Sequence, residues 1–114
     1  MKEFLNKKHI SGTVSEYSAV NKLLELGFLV FKNVAPHGMI DLIAISTDDE
    51  TFRIDVKTVS KRTKKTNYRS EGDMIYRTPS SEQKKYDVVL MIVDGGKFKI
   101  LPTHSKLSKW IKSK

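Results

Sequence analysis

The 114-residue chain has no cysteine, three prolines, six glycines and a single tryptophan. Without thiols there can be no disulfide, no thiol nucleophile and no cysteine–zinc site, a usage that suits a reducing compartment. No apolar run approaches the roughly 18 residues of a membrane-spanning helix. The opening MKEFLNKKHI lacks the apolar core of a secretory signal, and no internal repeat is visible. These absences lead us to expect a cytoplasmic protein without membrane contact, folded as one domain over residues 1–114.

Acid is also in short supply. Lys and Arg number 21 against 13 Asp and Glu, a net charge of +8 with a pI near 9.7. That balance favours a polyanion partner, because each neutralised phosphate releases condensed counterions. Mean hydropathy of −0.40 fits a globular chain.

Hydrophobic periodicity orders the elements. SGTVSEYSAVNKLLELG predicts a helix over 13–26, with Thr13 and Glu16 at capping-box spacing and Gly27 as its stop. Val14, Tyr17, Val20, Leu23 and Leu24 form its expected inward face. Strands are predicted over 28–34, 39–46 and 51–59, the last two joined by the short turn TDDE as an antiparallel hairpin. Residues 60–78 read as polar and irregular. PSSEQKKY predicts one or two helical turns capped by Ser80 or Ser81. DVVLMIV and KFKILP, joined by DGG, predict a second hairpin. The tail predicts a short helix with Leu107, Trp110 and Ile111 inward, and the whole is α/β with a mixed central sheet.

Within this scheme FRIDVKT (52–58) carries an anomaly. Asp55 and Lys57 are two residues apart on a strand and so share a face. Asp41 interrupts the neighbouring strand. A buried carboxylate costs several kcal/mol unless paired or bound to metal. Two carboxylates on adjacent strands can meet around a hard cation such as Mg²⁺, with the backbone carbonyl of Val56 as third ligand. Lys57 can then position a water or stabilise charge developing on a phosphate. The competing reading is an exposed Asp55–Lys57 salt bridge on an edge strand, with Asp41 merely starting its own strand. Repulsion between Asp41 and Asp55 without metal is expected to raise at least one of their pKa values.

The order GTVSEYSAVNKLLELGFLVF, GMIDLIAI, FRIDVKT resembles the PD-(D/E)XK nuclease superfamily, over residues 12–59, with DVVLMIV/KFKILP fitting its later strands more loosely. The resemblance is to small archaeal and phage Holliday junction resolvases and to intron-type homing endonucleases. It implies a restriction-endonuclease-like core, a mixed central sheet flanked by helices. It also implies catalytic residues Glu16, Asp41, Asp55 and Lys57, with Mg²⁺ (Mn²⁺ substituting) held by Asp41, Asp55, the Val56 carbonyl and Glu16, the last directly or through water. Ile40 stands where the motif's proline would be. Glu16 has an alternative role as helix cap. Many members place a Gln near the site on a following helix; Gln83 is the candidate, or else a surface glutamine.

A basic excursion follows the strand. Between Asp55 and Glu71 there is no acid, while Lys61, Arg62, Lys64, Lys65 and Arg69 accumulate around Tyr68. These residues, with His37 in the loop before Asp41, are the candidate DNA contacts. The leading expectation is a Mg²⁺-dependent endonuclease resolving Holliday junctions, cytoplasmic or acting from a phage in its host's cytoplasm, as a homodimer or higher homo-oligomer. A site-specific homing- or restriction-type endonuclease is the alternative. A non-catalytic DNA-binding module of the same fold is the third.

Overall fold

The computed structural model describes residues 7–35, 38–61, 74–75 and 78–113. Helix α1 (Lys7–Glu25) is followed by strands β1 (Leu29–Lys32), β2 (Leu42–Ile45) and β3 (Thr51–Thr58). A two-residue pair, β4 (Ser60–Lys61) with β5 (Met74–Ile75), then precedes α2 (Ser81–Lys85), β6 (Val88–Asp94), β7 (Lys97–Leu101) and α3 (Lys106–Lys112). No described helix is long and apolar enough to cross a membrane.

The five long strands form one sheet in the order β1-β2-β3-β6-β7. β1–β2, β2–β3 and β6–β7 are antiparallel; β3 and β6 are parallel, with Asp55 opposite Leu90. The expected hairpins β2–β3 and β6–β7 are therefore present. Gly95, at φ +58°, makes the tight turn of the second. The small β4–β5 ladder replaces part of the stretch expected to be irregular.

β3 is the middle strand, which decides its character. Phe52, Ile54 and Val56 point into the core with Leu42, Ala44 and Met91, while Arg53, Asp55 and Lys57 line the opposite face. α1 covers the core face through Ala19 and Leu23, and α3 joins it through Leu107. Trp110 stacks at 4.4 Å against Phe28, as a core anchor. α2 lies on the other face, against β6 and beside Asp55.

Two features of α1 differ from expectation. The helix as described spans Lys7–Glu25, so Thr13 and Glu16 lie in its interior and form no capping box. Of the residues expected inward, Leu23 is buried and Val20 packs on the core, whereas Val14, Tyr17 and Leu24 face outward and Ser15 and Ala19 are buried instead. Small residues let α1 lie close to the sheet, and Ser15 Oγ reaches Thr58 Oγ1 at 2.7 Å. The C-terminus follows expectation: Gly27 adopts φ +93°. Its N–H donates to Leu24 O and that of Phe28 to Leu23 O, a Schellman arrangement that turns the chain directly into β1.

Candidate active site

The site forms where β2 begins and β3 ends. Asp41 sits one residue before β2, and its backbone N–H donates to Ile54 O at 2.8 Å. Its Oδ2 accepts the Val56 N–H at 2.8 Å. Peptide groups alternate along a strand, so the Val56 carbonyl faces the same edge as its N–H, toward Asp41. The loop before Asp41 is braced by Asn33, whose Nδ2 donates to Ile40 O and whose Oδ1 accepts the Ala35 N–H.

Asp55 is only 6% exposed, too deep for the edge-strand salt bridge weighed as the alternative. Its carboxyl lies close enough to that of Asp41 to raise the Asp41 pKa. Lys57 Nζ lies 3.4 Å from Asp55 Oδ2. Burial, the Asp55 contact and the charges of Asp55 and Glu16 push the Asp41 carboxyl up from 3.8 to about 6, against the lowering effect of the Val56 N–H. The expected repulsion within the acid pair is therefore present and falls on Asp41.

Gln83 is the residue the sequence undervalued. Its Nε2 donates to Asp55 Oδ2 at 2.7 Å and to Met39 O at 3.4 Å. Its orientation follows from helix capping. Ser80 Oγ accepts the Gln83 N–H, and Gln83 Oε1 accepts the Ser80 N–H. With Oε1 committed to the cap, the amide can only offer its NH₂ to Asp55. The capping-box pattern Ser-x-x-Gln was the signal in the sequence that marks Gln83 as fixed.

Glu16 reaches the site by electrostatics alone. It acts on Asp41 through its charge, while its Oε1 pairs with Lys32 Nζ at 3.3 Å. No three His, Cys, Asp or Glu among the described residues cluster as a metal-ligand set. Asp55, Lys57 and Gln83 open into a cleft of about 360 Å³. A larger hollow of about 670 Å³ beside Arg53, Lys84 and His104 contains neither paired carboxylate. Of the two, only the smaller is lined by a member of the Asp41–Asp55 pair. Lys61 belongs to β4 by its backbone; its side chain, and all of His37, Arg62, Lys64, Lys65, Tyr68 and Arg69, lie outside the described residues.

The class defined by this architecture is α/β, a five-stranded mixed sheet with helices on both faces and an acidic pair at the β2–β3 junction. No protein-family pattern matches the sequence, and no curated protein matches it. Among solved structures, that of a bacterial homing endonuclease, I-Ssp6803I, shares the fold with a TM-score of 0.59. The match covers 86% of this chain and 67% of that one at 14% identity.

Proposed function

We propose that this chain is a divalent-metal-dependent endonuclease hydrolysing DNA phosphodiester bonds. The observation that carries the reading is the Asp41 carboxyl held on the Val56 N–H, next to the buried Asp55 and its partner Lys57 on the middle strand, in a fold shared with an endonuclease. Two neighbouring carboxyls whose repulsion raises the Asp41 pKa are what a hard cation neutralises, and carboxylate plus carbonyl oxygens suit Mg²⁺. Asp41, Asp55 and the Val56 carbonyl would hold the ion, with Glu16 contributing through water and Mn²⁺ substituting. Bound there, it would polarise the phosphodiester and lower the pKa of a water nucleophile.

The protein's own groups do the rest. Gln83 and Lys57 both hold Asp55 Oδ2, so its carboxylate would need little reorganisation during reaction. Lys57 would also stabilise charge developing on the phosphate. The basic residues from Lys61 to Arg69, with Tyr68 and His37, would hold the DNA backbone in a homodimer or larger homo-oligomer.

The structural neighbour favours duplex DNA cut at a specific site over the junction substrate expected first. The test offers the full chain a sequence-diverse duplex library and a four-way junction of unrelated sequence, with Mg²⁺ or EDTA, and maps new DNA ends. Metal-dependent ends recurring at one duplex sequence support the proposal. They should vanish in Asp55→Asn and fall by about 10²–10³ in Lys57→Ala. Symmetric nicks in the junction alone would restore the resolvase reading. Tight binding with no cut in Mg²⁺ or Mn²⁺ would leave a DNA-binding module and end the nuclease assignment.

A further inference from the structure

The outward face of α1 has no role in the cleft. Ile10, Val14, Tyr17 and Leu24 are 46, 60, 57 and 53% exposed on it. With Asn21 they run 10, 14, 17, 21, 24, alternating steps of four and three. At 100° per residue these five positions fall within an arc of about 80°, diametrically opposite buried Ala19. The stripe thus faces away from the core along the protein's longest helix.

We propose that this face is the contact surface for a second copy of the chain. The four-three spacing is that of a coiled-coil seam, whose a and d positions are apolar. A single asparagine in such a seam is the device that selects a paired register. Here Val14 and Asn21 fall at a, and Ile10, Tyr17 and Leu24 at d. A two-fold pair of α1 helices sets this stripe against itself, so apolar groups meet apolar groups.

Charge separates this partner from the alternatives. Ile10, Thr13, Val14, Tyr17, Asn21 and Leu24 include no charged residue, although 30% of the chain is charged. The Lys32 ammonium, 5.8 Å from the Tyr17 ring centroid, is balanced by Glu16 at 3.3 Å, so the pair offers a polyanion no net charge. Two copies each carrying +8 approach most easily through a neutral face. Glu16, to one side of the stripe, is already paired with Lys32. Half-exposed, the four apolar side chains present on the order of 400 Å² per copy. With flanking Thr13, Ser18 and Asn21, the pair buries about 1,000–1,200 Å² in total, the lower end of specific interfaces.

The proposal is independent of nuclease activity and is tested without DNA or metal. Sedimentation equilibrium of the full chain, from about 1 to 100 μM, should give a dimer mass within that range. The double variant Val14→Glu/Leu24→Glu should weaken the dimer at least about 100-fold, since it buries like charges in the seam. These side chains are exposed in the monomer, so its circular dichroism and dilute-solution melting temperature should match the parent. Phe31→Glu, on exposed β1 outside the stripe, should leave the dimer intact, and Asn21→Leu should tighten association. A parent monomeric at 100 μM overturns the proposal. So does a dimer that survives Val14→Glu/Leu24→Glu, or one that Phe31→Glu dissociates while the stripe variant does not.

Discussion

Replacing Gln83 by glutamate separates its two jobs. Glutamate can still accept the Ser80 N–H, so the capping box survives. The NH₂ that now donates to Asp55 at 2.7 Å becomes a second carboxylate oxygen, in a place where Gln83 is 8% and Asp55 6% exposed. Two unit charges about 4 Å apart repel by about 4 kcal/mol at an effective dielectric of 20. The lost donor to a charged acceptor adds about 1.5–3 kcal/mol. Rotation of the side chain returns part of this, leaving a net loss of about 3–4 kcal/mol at pH 8. For a chain of this length that lowers Tm by about 12–16 °C.

The pH dependence gives the sign. A glutamate forced against Asp55 has its folded pKa raised above the ordinary value of about 4.3. Its destabilisation is absent below that value and grows as pH rises through the raised one. Metal-free thermal melts of parent, Gln83→Glu and Gln83→Leu at pH 5 and pH 8 read it out. Gln83→Glu should differ from the parent little at pH 5 and strongly at pH 8. Gln83→Leu, which loses both cap and donor, should cost about 2–3 kcal/mol at both. A Gln83→Glu protein as stable as the parent at pH 8 would refute the Gln83–Asp55 contact.

Two further outcomes test the site and the helix. Asp41 titrates near 6 when folded, above its ordinary 3.8, so its contribution is complete below 3.8 and is lost as pH rises through 6. Asp41→Asn keeps an acceptor for the Val56 N–H and removes that loss. Allowing for its partial exposure, it should be about 1 kcal/mol more stable than the parent in EDTA at pH 8, and no more stable at pH 4, by denaturant unfolding. Adjacent leucines on α1 should behave oppositely in dilute solution. Leu23→Ala should cost about 2–5 kcal/mol, and Leu24→Ala less than about 0.5 kcal/mol. Equal effects would mean that α1 packs on the sheet by the other face.

Strand alternation makes part of the site legible in the order of residues alone. In FRIDVKT a period of two forces Asp55 and Lys57 onto one face whatever the fold around them. The turn TDDE is too short for anything but a hairpin, which brings Asp41 to the same end of the sheet. Gly27 stops α1 because a left-handed residue is needed there, a local requirement readable from local sequence.

What stayed hidden depended on contacts distant in sequence. Gln83 meets Asp55 only because β3 and β6 pair in parallel, with α2 on the intervening connection laid over that face. α1 carries two stripes, Val14-Tyr17-Leu24 and Ser15-Ala19-Leu23, and periodicity alone favoured the larger, more apolar residues. The sheet took Leu23 with the small Ser15 and Ala19, because close approach of helix to strand requires small residues there, which left Val14, Tyr17 and Leu24 facing solvent. The sequence determined strand faces, turns and helix ends, each decided within a few residues. Tertiary structure decided which helix face became core, which strand became central and which amide met the buried carboxylate. Those outcomes depend on packing between segments that the chain order does not place together.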